Sequence, residues 1–412
     1  MVDDPRGNLG VDRDGFSRVY LARNGTPGQN VRQVVEMTGG IESLVGKRDI
    51  VILKPNGQWW NQGMTNTDAM KAFIDLVLEI PAFGGEIVVA ENHHFPEDNS
   101  RGWTTTERNG SFNYNELVEH FRQRGFENVT KCHWHDGGPS VQPSWGGAAD
   151  GGLVDGPEDG DGYRWCYHAE HVAVTGRKTL MSYPVFTSPY SGVRVDFGRG
   201  AWKDGRYLDT PVKFVNFSAL NHHGLTGVTA SIKNYLGVVD MTCGYRGTSP
   251  KGYYNFHAVG YSSLPGRVKY LLGRLGWKFT AEHIGGAVGA FMKTVRVADL
   301  NVITAEWVGW GSRTDLAKRA RARTVLASRD PVALDYVAGK YTLLPVTREH
   351  DRSGFYVRRN DPDNRRGPFR RFLEHCHDQG VGNLEEDRIR THEHDFAAPP
   401  EDDLGARPEP VS

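Results

Sequence analysis

A three-layer α/β architecture, with a mainly parallel sheet covered by helices on both faces and an irregular insertion, is predicted by three features of this sequence. Near-continuous Val/Ile runs (RVYLA from Arg18, DIVILK from Asp49, EIVVAE from Glu86) alternate with amphipathic helical patterns, as strands buried on both faces do. The alternation breaks at Cys132, where Gly, Asp and Pro crowd the stretch from Asp136 to Gly162, and it resumes with KFVNFSAL from Lys213. At 412 residues with ten tryptophans the chain has ample material for a core, and its length suits one large elaborated domain.

The elements follow in order. Strand RVYLA leads into a helix from Asn30 (NVRQVVEMTGGIESLV). Strand DIVILK precedes helix TDAMKAFIDLVLEI from Thr67, and strand EIVVAE precedes helix YNELVEHFRQRG and a short strand near Val129. Between about 132 and 206 only HVAVTG and KTLMSY read as strands, so this part is an insertion or subdomain. KFVNFSAL is then a strand, followed by a helix from Thr226, a Gly- and Tyr-rich loop, helical segments from Leu264 to Arg296, and strands LNVITAE and TVLAS. Asp330-Pro331 is an N-cap followed by proline at the first helical position. The expected organisation is an extension at 1–17, the α/β body at 18–345, a helical extension at 346–394 and a disordered tail at 395–412.

Composition excludes some functions. Forty-nine basic and fifty acidic residues leave a net charge of −1, which gives no global attraction for nucleic acid or anionic lipid; no nucleic-acid partner is expected. Apolar runs such as FIDLVLEI fall far short of the roughly 20 residues of a spanning helix, so the chain is expected to be soluble, without a membrane span. Four cysteines without a CxxC pair argue against an iron–sulfur cluster. No signal peptide is recognisable at the start; compartment, whether cytoplasmic or exported after leader removal, and oligomeric state are not legible.

Chemistry-bearing residues gather in five groups. Lys54-Pro55-Asn56 ends the strand DIVIL, because proline stops the ladder and presents Lys54 and Asn56 at the strand's exit. Glu91 ends EIVVAE, followed by Asn92, His93 and His94. His222 and His223 end KFVNFSALNHH, followed by Thr226, Thr229, Lys233 and Asn234; with Thr226 as N-cap, Thr226, Thr229 and Lys233 share a helical face suited to an anion. Parallel strands would bring these groups to one carboxyl edge, where α/β sheets bind ligands. Lysine, carboxylate and imidazole together serve proton abstraction, an anion clamp, or a divalent metal held by His93, His94, His222 and His223. The plainer alternatives are a cap, core or surface histidines and a solvated lysine. Cys132, His133, His135, Cys166, His168 and His171 flank the insertion, compatible with a zinc site, with a Cys132–Cys166 disulfide, or with neither. Asp330 is a cap and Asp335 lies one turn on, with a second role at the same sheet edge open to both.

Together these residues resemble the domain-of-unknown-function family 362. The matching features are Lys54-Pro55-Asn56, the strand ending in Glu91, the span from Asn221 through His223, Thr229, Lys233, Asn234 and Gly237, and Asp330-Pro331-Val332-Ala333-Leu334-Asp335. The resemblance runs over about 18–345 and implies fold, not activity. Asn221 stands where the family usually has lysine, and the cysteine clusters of some relatives are absent here. The expected function is an enzyme acting on a small anionic molecule at the strand-end crevice, by isomerase- or racemase-like proton transfer or by metal-assisted hydrolysis. In that reading Lys54, Glu91, His223 and Lys233 are catalytic, and Asn56, Thr226, Thr229 and Asn234 bind the ligand. The alternatives are a non-catalytic binding or assembly module and an accessory protein to redox enzymes.

Overall fold

A computed structural model describes residues 7–57, 59–92, 108–134, 153–172, 176–240, 252–254, 256 and 282–396. The first half is built as expected: β1 (Ser17–Arg23), α1 (Pro27–Met37), β2 (Ile50–Lys54), α2 (Thr67–Leu78), β3 (Glu86–Glu91), α3 (Tyr114–Gln123) and β4 (Val129–His133). Local chemistry fixes the helix starts. Thr26 and Gln29 form a capping box at α1, Asn113 and Glu116 form one at α3, and the Asn66 side chain caps α2. Helix α1 begins three residues before Asn30 and stops before Gly39 and Gly40, whose φ of 103° and 81° are left-handed.

The segment expected as an irregular insertion is more regular than its composition suggests. It forms β5 (Leu153–Val154), β6 (Gly162–Val172), β7 (Lys178–Thr187), β8 (Arg194–Asp196), β9 (Gly200–Lys203) and β10 (Arg206–Tyr207), a second sheet of order β10-β9-β8-β7-β6-β5. Its pairings are antiparallel except β5 with β6. The chain then re-enters the main sheet through β11 (Val212–His223) and β12 (Gly227–Thr229), passes a short α4 (Ser231–Asn234) and α5 (His283–Thr294), and returns as β13 (Leu300–Gly309) and β14 (Arg319–Ser328). Helices α6 (Pro331–Ala338), α7 (Leu344–His350), α8 (Phe355–Asn360) and α9 (Pro368–His377) follow, and β15 (Ile389–Asp395) closes the described chain. This last strand, expected as the end of a helical extension and the start of a tail, pairs in parallel with β1. The remaining tail expectation, over 397–412, lies outside the described residues.

The main sheet has the order β15-β1-β14-β13-β11-β2-β3-β4, with β12 attached to β11. Strands β13, β11, β2, β3 and β4 run parallel, whereas β14 is antiparallel to both β1 and β13. The period-two alternation of side chains sorts the core. Val51, Leu53, Val89 and Phe217 pack with α1, α2 and α3, and Ile50, Ile52, Val88 and Phe214 pack with α4, α5, α6, α9 and the second sheet. Close packing of α5 on α9 depends on glycine: a Cβ at Gly285 would sit 2.1 Å from the Phe372 carbonyl oxygen.

Direction decides which strand ends meet. Asn301 of β13 is opposite Ser328 of β14, so TVLAS exits at the edge where the parallel strands begin. Asp330 is therefore at the edge opposite Lys54 and Glu91, contrary to the expectation of a shared edge. It caps α6 by accepting from the Val332 and Ala333 amides, and it also accepts from the Asn383 amide and the Ser17 hydroxyl.

Candidate functional site

Strands β2 and β3 end side by side, and their last residues form a buried ion pair. The Lys54 ammonium donates to Glu91 Oε1 (2.9 Å), to Asn234 Oδ1 (3.0 Å) and to the Pro55 carbonyl (2.8 Å). Those acceptors use all three of its protons. Glu91 Oε2 accepts from the Gly57 amide. Burial draws the Lys54 pKa down and the Glu91 pKa up, and each charge opposes the shift of the other. The Asn234 amide donates to Asn216 Oδ1 (2.8 Å), and the Asn216 amide to Asn301 Oδ1 (2.9 Å), so the knot continues as an amide ladder across β11 to β13. Gly237 closes over it, since a Cβ there would lie 2.4 Å from Glu91 Oε1 and 2.5 Å from Lys54 Nζ. Asn56 uses its backbone here: its amide donates to Thr65 Oγ1 (2.7 Å) and its carbonyl accepts from the Tyr114 hydroxyl (2.8 Å).

Lys233, beside Asn234 on α4, is in a different situation. It is 8% exposed, and among the described residues its ammonium has no hydrogen-bond or carboxylate partner. Burial first, and then the Arg313 guanidinium, push its pKa down to about 7. Arg313 itself lies over the Trp59 ring at 4.0 Å. The turn carrying Lys233 is anchored from below by Asp335, which accepts from the Ser231 amide (2.8 Å), the Ser231 hydroxyl (2.5 Å) and the Ile232 amide (3.1 Å). Burial raises the Asp335 pKa to about 7 against the pull of those donors.

The histidine group is placed elsewhere. Asn216 is the β11 residue level with Lys54, and β11 runs on through His223, so His222 and His223 project roughly 20 Å past that level at about 3.3 Å per residue. They do not join the Lys54 knot. His222 Nδ1 lies 2.7 Å from Asn360 Oδ1, and burial, with Arg359, Arg313 and Lys318 nearby, lowers its pKa to about 4. His223 Nδ1 accepts from the Leu225 and Thr226 amides at 3.1 and 3.2 Å, which makes it a turn-stabilising acceptor.

The helix expected from Thr226 does not form there. Residues 227–229 turn back as β12 against β11, with Asn221 opposite Thr229. Thr226 donates to the Val228 carbonyl (2.9 Å) instead of capping, and α4 starts only at Ser231 with no side-chain cap. The shared face of Thr226, Thr229 and Lys233 is therefore lost: a β-hairpin with Gly227 at φ 82° replaces the first helical turn. Asn221 is a buried neutral bridge, donating to the Gln62 carbonyl (2.9 Å) and accepting from the Gly309 amide (2.8 Å).

Around the second sheet, Cys132 and His133 are on β4 of the main sheet, whereas Cys166, His168 and His171 are on β6. Cys132, Cys166 and Cys376 are free thiols, so the Cys132–Cys166 disulfide is not formed. His171 sits against Gly286 of α5, near His283. Among the described residues no group of three or more His, Cys, Asp or Glu is arranged to hold a metal; His93, His94 and His135 lie outside them. No described helix is long and apolar enough to cross a membrane.

Sequence reasoning missed Arg313, Trp59 and Asn216. Asn216 carried a usable signal, a polar residue between Val215 and Phe217 in a strand buried on both faces. Arg313 and Trp59 come from loops and carried none. Residues 187–340 match the model of a family described as Domain of unknown function (DUF362), so the resemblance holds over that segment. Lys54 and Glu91 precede it, and the fold brings them onto its Asn234 and Gly237. No curated protein and no solved structure matches the chain.

Proposed function

We propose that the space beside α4, at the carboxyl end of β2, binds a small carboxylate- or phosphate-bearing molecule, with Lys233 as the recognising group. The observation that carries this reading is Lys233 itself, a buried lysine with no acid partner among the described residues and with Arg313 as its charged neighbour. Burying a charged lysine without an acid partner is unfavourable, and a ligand carboxylate or phosphate would offset that cost by charge-assisted hydrogen bonds. The Lys54–Glu91–Asn234 knot then serves as the rigid support of α4, and Asp335 sets the height of its first turn.

A lysine with a pKa of about 7 is also suited to take and return a proton near neutral pH. That supports proton transfer beside the bound carboxylate, of the isomerase or racemase kind, as the chemistry of the site. The test is calorimetric titration with inorganic phosphate and with succinate, comparing the wild type with Lys233→Met. The expected result is binding of at least one anion, weakened by about 10- to 100-fold in the variant, the range for losing a charged hydrogen bond. Equal affinity in the two proteins, or no binding of either anion by the wild type, refutes the reading.

A further inference from the structure

We infer that the rim formed by the β11–β12 turn, the β13–β14 loop and the start of α8 docks on an anionic lipid surface. Each of the three segments exposes a large apolar side chain: Leu225 (41% exposed), Leu316 (50%) and Phe355 (50%). They are linked through cations and one tyrosine. Arg359 donates to the Gly224 carbonyl and lies over the Phe355 ring at 5.5 Å. Lys318 donates to the Tyr356 hydroxyl (3.1 Å), and the Tyr356 ring meets that of Phe355 at 5.1 Å.

Charge selects the partner. Arg352 and Arg358 flank Phe355, are exposed, and make no ion pair among the described residues. The acids nearest in sequence are largely engaged. Asp351 is turned inward and accepts from the amides of Ser353, Tyr356 and Val357, and Asp363 pairs with Lys340 at 2.9 Å. Glu349 and Asp315 remain exposed on the rim. The chain as a whole has a net charge of −1, so attraction to an anionic surface has to come from local clusters such as this one.

The apolar tips stand singly on separate segments, each beside arginine or lysine. They match the headgroup boundary of a bilayer, where apolar tips enter the acyl region and cations meet phosphates. This inference does not depend on Lys233.

The test is co-sedimentation of the full chain with vesicles of phosphatidylcholine alone and of phosphatidylcholine with an equal part of phosphatidylglycerol, at low and high salt. Two variants, Phe355→Ser/Leu316→Ser and Arg352→Glu/Arg358→Glu, change exposed side chains only, and circular dichroism confirms their fold. The expected result is pelleting with the mixed vesicles alone, weakened by salt and by about tenfold in either variant. No pelleting with the mixed vesicles overturns the inference. Binding that Phe355→Ser/Leu316→Ser keeps undiminished also overturns it, because charge alone would then act, as toward an acidic protein.

Discussion

Gly237→Ala should destabilise the protein, although alanine is the better helix former. The added Cβ would lie 2.4 Å from Glu91 Oε1, 2.5 Å from Lys54 Nζ and 2.7 Å from Lys54 Cε. Side-chain ends can usually swing aside. Here Lys54 is held by three acceptors, Glu91 by the Gly57 amide, and both are buried. Replacing glycine by alanine in a helical turn gains about 1 kcal/mol. Overpacking costs about 1–3 kcal/mol, and displacing one partner of a buried ion pair costs about 3–5 kcal/mol. The clash wins: the ion-pair cost less the helical gain leaves a net loss of roughly 2–4 kcal/mol, and strain adds to it. Urea unfolding followed by tryptophan fluorescence measures it, with Gly84→Ala as the control, since nothing lies within 4 Å of a Cβ at Gly84. A Gly237→Ala midpoint equal to or above that of the wild type would show that the ion pair is not locked.

Two further predictions concern the Lys233 turn. Asp335→Ala removes the acceptor of the Ser231 and Ile232 amides; it should cost about 2–4 kcal/mol, as buried donors lose their partner, and should weaken phosphate binding in calorimetry although Asp335 touches no ligand. Lys233→Met should change the pH dependence of stability. The folded pKa of Lys233 is lowered from 10.5 to about 7, so its favourable contribution is present above the unfolded value and is lost as pH falls through 7. Without ligand, the variant should therefore be more stable than the wild type at pH 5, by a few kcal/mol at roughly 1.4 kcal/mol for each pH unit separating the folded and unfolded values, with the gap closing towards pH 10. Thermal melts across that range check it, and a constant gap would contradict it.

The parallel body was legible because its strands are continuous apolar runs alternating with amphipathic helical patterns and because Asp330-Pro331 marks a helix start, whereas the caps at Thr26 and Asn113 went unread and the first helix was placed three residues late. The shared edge of Lys54 and Glu91 was legible as well, since Pro55 fixes where β2 stops and two parallel neighbours end at one edge, but that the two bond to each other was not read. What failed was length and direction. KFVNFSAL continues as a strand through Asn221, His222 and His223 because the turn at Gly224 and Gly227 folds back into β12, and polar residues in a buried strand mimic its end. The exit of TVLAS was misplaced because orientation within a sheet depends on the partner strand, information no local run contains. The second sheet was obscured by Gly- and Asp-rich turns between short strands, and β15 by polar residues that suit an exposed edge.

Everything proposed for the space beside α4 rests on Lys233 being a buried cation that waits for an anion. The direct measurement is NMR titration of the Lys233 ε-carbon in protein labelled at lysine, assigned by comparison with Lys233→Met. The expected result is a midpoint near 7 in the free protein and an upward move when phosphate is added, because a bound anion favours the charged form. A midpoint close to the ordinary lysine value, unmoved by phosphate, would contradict it.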